Sequence, residues 1–387
     1  MKILYDHQIF SSQVYGGISR YFCEIISHLP CETEISAKYS DNVYLKNQNL
    51  IPDLKSLFDP RKEFIRGKEF KGKGRLFQLS KKINPEKYLD AEEQNRILSI
   101  EKLKKQDFDV FHPTYYDDYF LKHIGNKPFV LTVHDMNHEL FPEFYSSKEE
   151  LDFVRSKASL AEKATHIVAV SENTKKDIIE ILGINENKIT VIHHAVSLAK
   201  NPAEPGFDLP ARYLLYIGDR GAEYKNFKFM ARALAPLLFS DETLFVLCTG
   251  TAFEERENTF FRHLGLQGRF LAKFVPDVFL PQIYKRALSL IIPSYSEGFG
   301  IPILEAFHND CPVILADASC FPEIAGDAAL FFSPKSMSGL REQVQKILSN
   351  ELTRNSMIQK GKIREREFDW TVSAQKTAEV YKSVLLK

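Results

Sequence analysis

The sequence predicts an α/β protein whose parallel strands fall in two halves, and three observations predict it. Short apolar runs alternate with stretches of helical spacing over nearly all of the 387 residues, the alternation that builds parallel sheets. The runs are continuous and rich in Val, Ile, Leu and Phe, as expected of strands buried on both faces. A break at 201–210, NPAEPGFDLP, places three prolines and a glycine in ten residues, and such a stretch stops helix and strand alike.

Taken in order, the predicted strands are 3–5, 109–111, 129–133, 167–170, 190–192, 213–217, 244–248, 288–292, 313–316 and 330–332. The clearest helix follows the first strand, where Ile18, Tyr21, Phe22, Ile25, Ile26 and Leu29 step along one face. The last stretch, 368–386, is again helical in pattern. The expected domains are 1–200, a linker at 201–210, 211–367, and a closing helical segment at 368–387.

Composition narrows the function. Hydrophobic residues make up 44% and charged residues 26%, with 51 Lys+Arg against 51 Asp+Glu. That balance excludes disorder and leaves no whole-chain electrostatic argument for a nucleic-acid partner. The five cysteines are widely spaced with no C-x-x-C, which suits a reducing compartment and gives neither a disulfide framework nor a zinc knuckle. Asp6 and His7 interrupt the first apolar run too early for an export signal, and no apolar run is long enough to span a bilayer. The expected location is cytoplasmic, with a peripheral place on the inner face of the cell membrane left open by one anomaly. From 61 to 87 there are ten Lys/Arg against three acids, about +7, with Phe64, Phe70, Phe77 and Tyr88 interleaved or adjacent. Either this is a solvated insertion or it is a patch for an anionic membrane surface or a phosphate-bearing acceptor.

Ligands of doubly wound sheets bind beyond the carboxyl ends of strands, so the residues after each strand are the candidates. After 3–5 comes Gly16-Gly17 at a helix start, read either as a turn or as an opening for an anion. After 129–133 comes His134-Asp135, a structural pair or a group facing a sugar hydroxyl. After 213–217 come Arg220 and Lys225, two cations around a helix start that suit a diphosphate. After 288–292 comes Ser-Glu297-Gly298-Phe299-Gly300-Ile-Pro302, with Glu305 eight positions beyond Glu297. Pro302 belongs in a helix's first turn. Carboxylates there can take hydrogen bonds from sugar hydroxyls, provided Arg220 and Lys225 neutralise the phosphate nearby.

The run from Glu297 to Ala306 resembles the Glu–seven residues–Glu motif of retaining glycosyltransferases of family 4, which have the GT-B fold. Gly16-Gly17-Ile18 resembles the family's amino-terminal glycine loop, Ser171 to Asp177 its Ser-x-x-Thr-Lys stretch, and Gly218 to Asn226 its Arg…Lys-Asn segment. Pro322-Glu323 with Gly326-Asp327-Ala328-Ala329 is similar to a further signature. The likeness covers nearly the whole chain, least at 40–105.

This resemblance implies two Rossmann-like domains facing a cleft, the first binding acceptor and the second a nucleotide sugar. It implies Arg220 and Lys225 on the donor diphosphate, Glu305 on the ribose, and backbone at Val275 on the base. Glu297, Gly298, Phe299 and Gly300 would meet the transferred sugar, His134 would lie near sugar and acceptor, and Gly16 and Gly17 would form an acceptor or phosphate loop. Ser171 matches too, but reads better as a helix N-cap. His194-Ala195 stands where many relatives carry Asn-Gly, and neither His193 nor His194 is given a role.

No cofactor is implied, and no metal. Asp107-Phe108-Asp109 is formally a metal motif of the other glycosyltransferase fold, but here it leads into a strand. The implied reaction moves a hexose, mannose from GDP-mannose as first choice, to a glycan or lipid-linked glycan of a bacterial surface polysaccharide such as O-antigen. The alternatives are a nucleotide-sugar epimerase or hydrolase of the same fold, and a non-catalytic membrane-associated binder.

Overall fold

The structure, a computed structural model, describes residues 1–65, 70–84, 88–198 and 203–386. Arg66, Lys68 and Lys87 of the basic stretch and positions 201 and 202 of the expected linker therefore lie outside the described residues, while 203–210 holds neither helix nor strand.

In the first half, β1 (Lys2–Tyr5), β2 (Glu32–Ile35), β3 (Val110–His112), β4 (Val130–Val133), β5 (His166–Ala169) and β6 (Ile189–Val191) form two parallel ladders, β2-β1-β3 and β4-β5-β6. A parallel bridge between Phe111 and Phe129 joins them, so the strands run as one surface. In the second half, β7 (Arg212–Tyr216), β8 (Leu244–Thr249), β9 (Phe270–Lys273), β10 (Ser289–Ile292), β11 (Val313–Ala316) and β12 (Leu330–Phe332) form one parallel sheet in the order β12-β11-β10-β7-β8-β9. Its strand order reverses between β7 and β10, and such a reversal opens a crevice at the strands' carboxyl ends.

The ten strands expected from the sequence are present, shifted by a residue or so at some ends. Strands β2 and β9 were not expected. Both are sheet edges with only partial burial, so neither needs the continuous apolar run that marks β4, β5, β10 and β11, which are buried at every position.

The Gly17–His28 helix buries Tyr21, Phe22, Cys23, Ile25 and Ile26, the face its spacing predicts. Against it packs the last helix, Trp370–Leu385, after the second sheet is complete. Tyr381 Oη lies 2.6 Å from both Tyr5 Oη and His112 Nδ1, and Trp370 Nε1 donates to Ser197 Oγ at 2.6 Å. The last helix is thus fastened to the first half by hydrogen bonds, those of Tyr381 buried. One apolar cluster runs through both halves, and a second fills the other face of the first sheet.

Candidate active site

The loops after β7 and β10 flank the point where the strand order reverses, and an ion pair joins them there. Lys225 Nζ lies 2.5 Å from Glu297 Oε1, which also accepts from Ser294 Oγ at 2.9 Å. Lys225 closes a 3₁₀ turn, Asn226 adopts the left-handed conformation, and the Phe227–Ser240 helix follows. Glu297 is held by its backbone, which exchanges hydrogen bonds with Ser319 Oγ. Beyond it the chain enters the Ile301–His308 helix through Gly300 at φ 85°, with Pro302 in the first turn. A side chain at 300 would be strained by that φ and would also meet Ile303 Cδ1 at 2.9 Å.

Arg220 does not share Lys225's partner. Its Nε lies 2.7 Å from Glu257 Oε1, its Nη2 donates to the Thr251 carbonyl at 2.9 Å, and its guanidinium covers the Phe253 ring. Burial pushes the Glu257 carboxyl up, but Arg220 and the Glu254 backbone N–H together hold the group below its ordinary range. Arg220 also walls a cavity of about 440 Å³ between the loops after β7 and β8, with Asp219, Gly221, Gly250 and Thr251. Lys225, Glu297 and Glu305 are outside that lining.

Glu305 departs most from expectation. It sits one helical turn in, as predicted, but is only 2% exposed and its Oε1 lies 2.6 Å from Arg20 Nη2 of the first half. Its Oε2 accepts from Tyr284 Oη at 2.7 Å. Asp277, in the loop after β9 that also holds the buried Val275, lies 3.8 Å from Arg20 Nη1. Burial works against Arg20's charge, yet Glu305, Tyr44 and Asp277 hold the guanidinium protonated well beyond its ordinary range. The sequence predicts that Arg220 and Lys225 neutralise a diphosphate near these acids, with no cation paired to the acids themselves. Instead Lys225 balances Glu297, and Glu305 is balanced by Arg20. Arg20, which the sequence did not single out, follows Gly17 by three positions on the same helix face, and a Cβ on Gly17 would stand 3.5 Å from Ile301 Cδ1 of the second half.

The two halves meet closely around His134. A Cβ at position 298 would stand 1.5 Å from the His134 carbonyl oxygen, so no side chain fits there. Thr174 Oγ1 donates to the Gly298 carbonyl at 3.3 Å. Phe299 turns inward and stacks on His194 at 4.8 Å, with Tyr21 stacked on the other side at 4.7 Å. Burial pushes His134 down to about pKa 4, with Lys157 adding and Asp135 opposing, so its imidazole is neutral at pH 7. His134 Nε2 and both ring nitrogens of His194 are buried without a hydrogen-bond partner among the described residues.

A second bridge was missed by sequence reasoning. Glu323, of the second half, accepts from the backbone N–H of Glu172 at 2.8 Å and of Asn173 at 3.1 Å, and lies 2.8 Å from His193 Nε2. Although burial raises it, His193 and those N–H groups bring the Glu323 carboxyl below its ordinary range. The same helix start is capped by Ser171, whose Oγ accepts from Thr174 N–H at 3.0 Å. Asp107 and Asp109 are spent elsewhere: Asp107 pairs with Lys2 Nζ at 2.9 Å and Asp109 accepts from Lys2 N–H at 2.7 Å. That is the amino end of β1 and β3, away from the cleft.

The family model described as Glycosyltransferase Family 4 matches residues 82–200, and that described as Glycosyl transferases group 1 matches residues 199–364. The two adjoin and together span most of the chain. The chain carries both glycosyltransferase domains. O-antigen chain mannosyltransferase B of Escherichia coli is 28% identical over 65% of this chain and 70% of its own length. O-antigen chain mannosyltransferase RfbU of Salmonella typhimurium is 24% identical over 56% of this chain and 60% of its own. Among solved structures, Anabaena HepE in complex with UDP and glucose superposes with a TM-score of 0.71 at 18% identity, covering 99% of this chain and 100% of that one. The glycosyltransferase fold is GT-B. Among the described residues, no helix is long and apolar enough to cross a membrane.

Proposed function

We propose that this glycosyltransferase moves a hexose, mannose before others, from a nucleoside diphosphate sugar to a growing or lipid-linked glycan, with retention at the anomeric carbon. The observation that carries the reading is the Lys225–Glu297 pair at the second sheet's strand reversal. It puts a cation and an acid side by side in the crevice where ligands of such folds bind. The O-antigen mannosyltransferases among the relatives support mannose as the sugar, and GDP-mannose is the donor this reading takes first.

In this reading Lys225 turns part of its charge to the donor diphosphate, joined by Arg220 from the β7 loop. Glu297 takes sugar hydroxyls, the backbone at Gly298, Phe299 and Gly300 lines the sugar, and Val275 meets the base through backbone. Glu305 takes the ribose once Arg20 releases it, and Gly16 and Gly17 open toward acceptor or phosphate. The acceptor oxygen bonds to the anomeric carbon on the face from which the diphosphate leaves. The C–O bond to phosphate breaks, and the departing phosphate oxygen takes the acceptor's proton. Fixed cations stabilise the leaving charge, so no divalent metal is needed. His134, neutral, positions a hydroxyl rather than serving as an acid.

The test is product analysis. The chain is incubated with GDP-mannose or a UDP-hexose and a mannosylated acceptor, with and without EDTA. A new glycosidic bond with the donor's α configuration, formed equally in EDTA, is the expected result. Free sugar or an epimerised donor, formed without acceptor, would replace the transferase with a hydrolase or epimerase.

A further inference from the structure

The Lys73–Ile83 helix lies in the basic stretch and plays no part in the cleft chemistry. Its inner side is fixed: Phe77 is buried and packs edge-on against Phe64 at 5.4 Å and Tyr88 at 5.4 Å, while Lys81 pairs with Glu93 at 3.1 Å. These contacts settle which side faces out. On that side Leu76, Leu79 and Ile83 are 42%, 56% and 78% exposed. Their i, i+3, i+7 spacing makes one stripe along the helix. Arg75 and Lys82, both exposed, run along one edge of that stripe, seven positions apart.

We propose that this face docks the enzyme on an anionic lipid surface. An aliphatic stripe beside a row of cations is the pattern of a helix lying in a membrane interface, apolar side in the acyl boundary and cations among the headgroups. The same chemistry disfavours the other occupants. Pairing with a second copy would bring Arg75 and Lys82 against their own kind. Nucleic acid would attract the cations but gains little from Leu76, Leu79 and Ile83, which neither stack on bases nor donate hydrogen bonds. The inference deepens the proposed function, on which it rests for its purpose: it would hold the cleft near a lipid-linked acceptor.

The test is flotation of the full chain with vesicles of phosphatidylcholine alone, or containing phosphatidylglycerol. It needs neither donor nor acceptor, so its failure is distinct from failure of the transferase reading. Binding to the anionic vesicles, weakened by salt, is expected. Arg75→Gln/Lys82→Gln should weaken it about 25-fold, from about fivefold per cation. Leu76→Ser/Leu79→Ser/Ile83→Ser should weaken it at least about tenfold. Both variants change exposed side chains alone and should keep the wild-type unfolding midpoint. Equal binding to neutral vesicles, undiminished binding by either variant, or a dimer broken by the serine variant without vesicle binding would each overturn the proposal.

Discussion

Gly298 and Glu305 show how single residues set this cleft. A methyl group at 298 would overlap the His134 carbonyl oxygen, and backbone cannot yield as a flexible side chain can. Gly298→Ala should therefore hold the 297–300 loop away from His134 and lower kcat/KM about 100-fold, the scale of an ångström's misplacement; steady-state kinetics would show it. Glu305→Gln should raise the donor KM and also leave Arg20 buried without its main partner, at about 3–5 kcal/mol by urea unfolding. Adding Arg20→Met should restore stability while the donor KM stays high. Recovery of both would make Glu305 structural only. Neither Arg20's partner nor Glu323's could be read from the sequence, because each bond crosses between halves and depends on how the two sheets are set. The local features could be read: Gly300 and Pro302 announce a helix start, and the spacing of Glu297 and Glu305 follows from it.

At the scale of elements, the sequence is informative wherever burial is complete and uninformative at edges. Strands β4, β5, β10 and β11 declare themselves because both faces are covered. Strand β2, Glu-Thr-Glu-Ile, is half open to solvent and its composition follows solvent instead. Helix starts behave similarly. Ser171 was legible as a cap, and Ser171→Ala should cost about 1 kcal/mol in urea unfolding. What the sequence does not reveal is that this helix start also receives Glu323 from the other half. Exposed helix N–H groups favour any nearby anion, and here the anion is a side chain of the opposite domain.

For the whole molecule, the two halves are held by contacts of three kinds: the Arg20–Glu305 pair, the Glu323 bridge, and the aromatic stack of Tyr21, His194 and Phe299. The buried histidines make this arrangement acid-sensitive. Burial lowers His112 to about pKa 3 and His134 to about 4, and pushes His194 well down. In the unfolded chain each titrates near 6.5. Between 6.5 and the folded values the unfolded state binds more protons, so stability is lost as pH falls through that window. The loss should read as a lower urea midpoint at pH 5.5 than at pH 7.5. His134→Asn should flatten that pH dependence.

The central claim is that the cleft binds a nucleoside diphosphate through the cations after β7, and calorimetry tests it most directly. GDP, UDP and ADP would be titrated into the wild type and into Arg220→Ala/Lys225→Ala. The account predicts that one nucleotide, GDP before the others, binds at micromolar affinity and that the double variant loses it. Folded wild-type protein that binds none of the three, or a double variant that binds as tightly as wild type, would contradict it.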